Sequence, residues 1–237
     1  MQNIPPLDPS EHNLEPLLAA AGRTSDWLNT DDGDPYSPPN VARRNIIEAL
    51  RTVPFHYRKA TVDQPQLQQW INELAADAIK DQQKRDTTTA AVTRGKSVLL
   101  LGPTGVGKTH QAYGAVRQMA VTGVNNTWVT TAAADLYAEL RPRHGVDTET
   151  EFRRYRDARI LLVDDLGAGR APTEFTEEIN FRLVNWRYER HLPTLITTNV
   201  LPKELSGRLG DRVASRLNEM CTRVVIKGED RRRQVAA

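Results

Sequence analysis

Residues 102–109 read GPTGVGKT, in which Gly102, Gly107, Lys108 and Thr109 fill the fixed positions of GxxxxGK[ST] and Gly105 adds a third glycine. A loop that folds around a pyrophosphate must turn successive backbone N–H groups inward. Glycine gives the dihedral freedom and the close approach that this needs. On this reading Gly102, Pro103, Thr104, Gly105, Val106 and Gly107 cradle the phosphates of ATP or ADP. Lys108 bridges the β and γ phosphates, and Thr109 coordinates Mg2+ through its hydroxyl. The apolar run SVLLL (97–101) stands before the motif and a helical segment from Lys108 to Val121 follows it. A strand before and a helix after are the context that a true phosphate loop requires.

A triphosphate site also needs acid to hold magnesium and polar groups to place water. In ILLVDD (160–165) four apolar residues carry the chain through a sheet interior, and Asp164 emerges at the carboxyl end. Ligands of open α/β sheets bind at that edge. Asp164 is therefore expected to coordinate Mg2+ through water, and Asp165 to polarise the attacking water. The plain structural reading of Asp165 is a cap or turn former before Gly167. Aspartate is one methylene shorter than glutamate here, which predicts slow intrinsic hydrolysis. PTLITTN (193–199) closes an apolar run with Thr197, Thr198 and Asn199. Asn199 is expected to orient water near the γ phosphate, with a simple turn as the alternative.

Cations come late. GRLGDRVASRLNEM carries Arg208, Arg212 and Arg216, the last two four residues apart and so on one helical face. One lysine does not offset a triphosphate, and a neighbouring subunit can add a cation. Arg216 is the candidate for that role in trans, and Arg212 is its competitor. GEDRRRQ places Arg231, Arg232 and Arg233 in a basic tail, where one could reach the nucleotide in cis, touch nucleic acid or serve solubility.

The elements that position these residues follow from periodicity. Five apolar runs are read as strands: SVLLL, NTWVTT (126–131), ARILLVDD (158–165), PTLITTN and CTRVVIKG (221–228). Helical segments separate them, including TEFTEEINFRLVNWRYER (173–190) and a single stretch from about Lys203 to Glu219. Continuous apolar strands alternating with helices predict an α/β fold with a mainly parallel sheet covered on both faces. Upstream, QPQLQQWINELAADAIKDQQKR (64–85) reads as a helix with Leu67, Trp70, Ile71, Leu74 and Ile79 on one face. Residues 1–49 read as a short acidic extension and linker, a possible partner-binding segment, with helices in EHNLEPLLAAAG (11–22) and VARRNIIEAL (41–50). Residues 50–237 are expected to form the ATPase domain with its basic tail.

Bulk properties narrow the class further. The 237 residues are 39% hydrophobic and 26% charged, a soluble globular mixture. No apolar stretch is long enough for a bilayer span and no signal segment opens the chain, so a cytoplasmic setting without membrane contact is expected. A single cysteine, Cys221, excludes an intramolecular disulfide and a cysteine-based zinc knuckle. Residues 1–49 hold three basic and eight acidic side chains, so with a total of +2 the remainder carries +7. That imbalance permits a nucleic-acid surface, and RPRH (141–144) and RRYR (153–156) are candidates for it.

GPTGVGKTH, ILLVDDLG, LITTN and LGDRVASRL, with the closing GEDRR, resemble the DnaC/DnaI-like replicative helicase loaders and the closely related IstB transposition ATPases of the AAA+ superfamily. The resemblance covers about residues 50–233. It implies a five-stranded parallel sheet in the order 5-1-4-3-2 without a large C-terminal helical lid. It also makes Gly102 through Thr109 Walker A, with His110 a further familiar detail, and makes Asp164 and Asp165 Walker B. Asn199 becomes sensor 1, Arg216 the arginine finger and Arg232 the best match to the sensor-2 arginine. VPFHYRKATV (53–62) resembles the segment that lies along the adenine. Two features depart from the family: Gln111 stands where a leucine is usual, and the extension is unlike a clear helicase-binding domain.

The resemblance further implies ATP-bridged homo-oligomers that engage single-stranded DNA. The leading expectation is a loader that places a replicative hexameric helicase on single-stranded DNA, with Mg2+-dependent ATP hydrolysis as the switch. The alternatives are an ATPase that assists a transposase in DNA target selection and an ATP-gated scaffold with little turnover. A small-molecule kinase shares the phosphate loop but needs an acceptor pocket and a phosphate-clamping lid. The acid pair with Asn199 and an arginine suits hydrolysis better.

Overall fold

The computed structural model describes residues 6–30, 32–145, 147–169 and 172–230. In chain order the elements are α1 (Glu15–Ala20), α2 (Ser25–Leu28), α3 (Pro38–Thr52), α4 (Pro65–Arg85), β1 (Ser97–Leu101), α5 (Lys108–Ala120), β2 (Trp128–Ala132), α6 (Ala133–Leu140), α7 (Thr148–Arg156), β3 (Ile160–Asp164), α8 (Glu174–Glu189), β4 (Thr194–Thr198), α9 (Leu205–Leu209), α10 (Asp211–Met220) and β5 (Cys221–Val225). They group into two compact units, Met1–Thr93 with Tyr113–Thr127 and Arg94–Ala112 with Trp128–Ala237.

The first unit is helical. Leu14, Leu17, Leu18, Leu28, Val41 and Ile46 are buried along α1 to α3. Helix α4 buries Leu67, Trp70, Ile71, Leu74 and Ala78. The expected Ile79 is instead 38% exposed, because the 3.6-residue period brings Ala78, four after Leu74, onto the buried stripe. Polar anchors complete the unit. The Arg117 guanidinium donates to the carbonyls of His12, Asn13 and Ala60, and Gln118 donates to that of Leu17. The Tyr57 and Tyr113 rings stack with centroids 4.9 Å apart.

The second unit holds one sheet in the order β2-β3-β4-β1-β5, with every neighbouring pair parallel. This is the order that the family resemblance implied. The central strands β1 and β4 are buried at all five positions, and β3 is buried until Asp164. Edge strands differ. Only Thr131 of β2, and Cys221 and Val224 of β5, are fully buried. Continuous apolar runs mark the strands covered on both faces, and mixed runs mark the rims. The stretch expected as a single helix from Lys203 is broken. Gly210 has φ +84 between α9 and α10, a backbone conformation that side chains resist. Because all strands run the same way, the loops after β1, β3 and β4 share one edge of the sheet, and the chemistry gathers there.

Candidate nucleotide site

The phosphate loop spans the gap from the end of β1 to the start of α5. Gly105 and Gly107 take φ of +84 and +98, which lets the chain reverse tightly where side chains would be strained. The first backbone bond into α5 runs from the Gln111 N–H to the Gly107 carbonyl at 3.0 Å, so the positive end of the helix faces the loop. Lys108 is 5% exposed, and its ammonium donates to the carbonyls of Gly102 and Pro103 at 2.9 and 2.8 Å. Pro103 and Thr104 are exposed at the loop tip, Val106 is buried beneath it, and His110 is half-buried.

Thr109 meets the acid of β3. Its hydroxyl lies 3.1 Å from both carboxylate oxygens of Asp164. Burial raises the Asp164 pKa above the ordinary carboxylate value, and the charge of Asp165 adds to that rise. The Thr197 and Thr109 hydroxyls and the Lys108 charge oppose it. Thr109 and Asp164 form an all-oxygen donor set of the kind a hard divalent cation takes. Among the described residues no cluster of three or more His, Cys, Asp or Glu could hold a metal. Such a donor pair fits Mg2+, which is typically held by one or two carboxylates together with waters and substrate phosphates.

Asp165 is exposed, just beyond the strand, with φ +56. Its N–H donates to the Thr197 hydroxyl at 2.9 Å, and that hydroxyl donates to Asp164 Oδ1 at 2.6 Å. Asn199 is exposed two residues past Thr197, beyond the end of β4. The structure therefore joins Thr109 to Asp164 directly and Asp165 to Asp164 through Thr197, with the Lys108 charge near enough to act on Asp164 and Asn199 just past the adjoining strand end.

Arg216 lies elsewhere. It is half-buried on α10, its guanidinium 5.2 Å from the Phe181 ring centroid and 5.8 Å from that of Tyr188, both on α8. Arg212 stands 5.6 Å from the same Phe181 ring and is exposed. Arg231, Arg232 and Arg233 lie outside the described residues.

Two participants went unread in the sequence. Thr197 was visible only as a hydroxyl in an otherwise apolar strand. Asp230 stands beside the basic tail in sequence, yet its side chain lies against the loop: a Cβ added to Gly105 would meet Asp230 Oδ1 at 1.9 Å. The chain leaving β5 also passes close, since a Cβ on Gly102 would meet the Ile226 carbonyl oxygen at 2.4 Å.

A phosphate loop between β1 and α5, an acid pair ending β3, a polar end on β4 and the strand order 5-1-4-3-2 together define an AAA+ P-loop ATPase core, which binds ATP. More narrowly, the sequence matches the IstB-like ATP binding protein family over residues 42–237, and the chain belongs to that family. It is 27% identical over 173 residues to the insertion sequence IS5376 ATP-binding protein of Geobacillus stearothermophilus, covering 72% of this chain and 64% of that one. It is 31% identical over 149 residues to the insertion sequence IS21 ATP-binding protein of Pseudomonas aeruginosa, covering 60% of this chain and 55% of that one. The chain thus spans less than two thirds of the length of these relatives. Among solved structures, that of the DnaC helicase loader superposes with a TM-score of 0.54 at 26% identity, over 73% of this chain and 100% of the other. Among the described residues no helix is long and apolar enough to cross a membrane.

Proposed function

We propose that this protein is the ATP-driven accessory of a transposase, binding and hydrolysing Mg2+–ATP as a switch that governs engagement of target DNA. Membership of the IstB-like family carries this reading, and both relatives above are insertion-sequence proteins. It reverses the order expected from sequence alone, where helicase loading stood first.

In this reading the loop amides and Lys108 bind the β and γ phosphates. Thr109 and Asp164 hold Mg2+, which supplies neutralisation of charge on the phosphoryl oxygens. Asp165 accepts a proton from the water whose oxygen bonds to the γ phosphorus as the bridging bond to ADP breaks. Asn199 orients that water. Arg216 of a neighbouring copy offsets the charge that develops on the transferred group. Positioning and charge neutralisation account for most of the catalysis of phosphoryl transfer. Exposed Arg141, Arg143, Arg153 and Arg154 are the candidates for DNA contact. Arg156 is committed instead to Glu149, Asp157 and the Trp186 ring, which lies 4.0 Å from its guanidinium.

The test pairs the purified protein with the transposase and the replicative helicase of the same genome, with and without ATP. Nucleotide-dependent association with the transposase and DNA is expected. Exclusive, nucleotide-sensitive association with the helicase would replace this reading with helicase loading, which the likeness to the DnaC helicase loader favours. Association without turnover would leave an ATP-gated scaffold.

A further inference from the structure

We propose that Thr197 is a positioning residue that registers the metal-holding acid and the water-facing acid against strand β4. The proposal rests on the ATPase reading of this site. Thr197 has no exposed surface and is the fourth of five residues in the fully buried strand β4. Valine is its isostere and would fill the same volume in a central strand, so packing alone does not call for a hydroxyl. A buried hydroxyl is costly unless its hydrogen and its oxygen are both used. Here both are used: Oγ1 donates to Asp164 Oδ1 at 2.6 Å and accepts from the Asp165 N–H at 2.9 Å.

The neighbouring bonds extend that stitch. The Leu166 N–H donates to the Thr197 carbonyl at 2.9 Å, and the Thr198 hydroxyl donates to the Leu166 carbonyl at 2.6 Å. The backbone ladder between β3 and β4 pairs Leu161, Leu162 and Val163 with Thr194, Leu195 and Ile196. Past that point the Leu166–Thr197 backbone bond and the hydroxyls of Thr197 and Thr198 together carry the register. They do so where the chain must leave extended geometry, because Asp165 adopts φ +56. One oxygen therefore fixes a carboxylate rotamer on β3 and the turn that aims the next carboxylate. Asn199 follows two residues later, just past the end of β4, so the strand that registers the acid pair also leads into the amide.

The test compares Thr197→Val and Thr197→Ser with the unaltered chain. In the nucleotide-free protein the Asp165 amide, though on an exposed residue, is expected to exchange slowly with solvent. Exchange should quicken about tenfold or more in the valine variant and remain slow in the serine variant. Binding of ATP without metal should stay within about threefold. Affinity for Mn2+–ATP, read by electron paramagnetic resonance, should fall about tenfold in the valine variant and recover with serine. Equal Asp165 exchange in all three proteins, or equal loss of affinity with and without metal, would overturn the proposal. A wild-type chain that fails to bind Mn2+–ATP would overturn the ATPase reading together with it, and that arm separates the two failures.

Discussion

The Thr109 hydroxyl lies 3.1 Å from each carboxylate oxygen of Asp164, joining the helix after the phosphate loop to the end of β3. These residues are 55 apart in sequence, and only the parallel order of β1, β4 and β3 brings them together. Removing the charge while keeping the shape isolates the metal-holding role. Asp164→Asn should therefore leave ATP affinity in chelator near the wild-type value while lowering Mg2+-dependent turnover about 100-fold, the scale of a lost charge-assisted contact. Isothermal titration with and without Mg2+, beside steady-state phosphate release, checks it.

Lys108 and Asp165 should separate binding from chemistry. Lys108→Ala removes the one ammonium of the loop and should weaken ATP binding about 100-fold, by roughly 3 kcal/mol of charge-assisted hydrogen bonding. Asp165→Asn keeps the exposed turn and should retain binding within a few-fold while turnover falls about 100-fold or more. Asp165→Glu extends the carboxylate by one methylene toward the water and should raise turnover. An unchanged or lower rate for that variant would remove the account of slow hydrolysis.

Arg216 carries the prediction about assembly. Its guanidinium rests over Phe181 and Tyr188 of its own chain, so a role in trans is testable by mixing. Arg216→Ala and Lys108→Ala should each be nearly inactive alone. When mixed they should regain on the order of a quarter of wild-type turnover, because an intact loop from one copy can meet an intact arginine from another. No recovery in the mixture would place the function of Arg216 within its own chain or in packing alone.

What the sequence disclosed follows from what sets each feature. Strands β1, β3 and β4 are legible because burial on both faces demands unbroken apolar runs. The phosphate loop is legible because its dihedrals and its ligand restrict residue type at fixed spacing. The partners of Asp164 are another matter: Thr197 is 33 residues away from it, and no local pattern separates a stitching threonine from an ordinary β-branched strand residue. Asp230 was masked by the arginines beside it. The break at Gly210 had a visible cause, a glycine in a helical run, but the amphipathic spacing across it reads as continuous.

Alkaline stability tests the core beneath the site. Burial pushes the Cys221 thiol up to about 12 from an ordinary value of 9.0. Burial first, and then the bond to Glu139 and its charge, push the Tyr155 phenol up to about 12 from 10.0. Both groups hold in the folded state a proton that the unfolded chain releases earlier. Their contribution is therefore complete below about pH 9 and is lost as pH rises toward 12. The melting temperature should fall across that window, with a shallower fall above pH 9 in Cys221→Ala and above pH 10 in Tyr155→Phe. At pH 8 the native thiol should resist a disulfide reagent and react fully once the chain is unfolded.

Arg187 shows how the sheet edge opposite the nucleotide site is closed. It is 1% exposed, and burial lowers its pKa to about 9, so it remains a cation at neutral pH. Its Nη1 donates to the carbonyls of Tyr155 and Arg156 at 3.1 Å each and of Ala158 at 2.8 Å. Its Nη2 and Nε donate to the Pro193 carbonyl and the Thr194 hydroxyl at 2.8 Å each. Tyr155 and Arg156 end α7, so the guanidinium satisfies carbonyls that a helix terminus leaves unpaired and sits at its negative end. The same group spans the entries to β3 and β4, the strands that carry Asp164 and Thr197. Lysine offers three donors at one point and cannot reproduce the planar fork. Arg187→Lys and Arg187→Met should both lower unfolding stability in urea by about 3 kcal/mol or more, since several buried carbonyls lose their donor. If either variant stays within about 1 kcal/mol of wild type, the buried guanidinium is not what holds these two strand entries together.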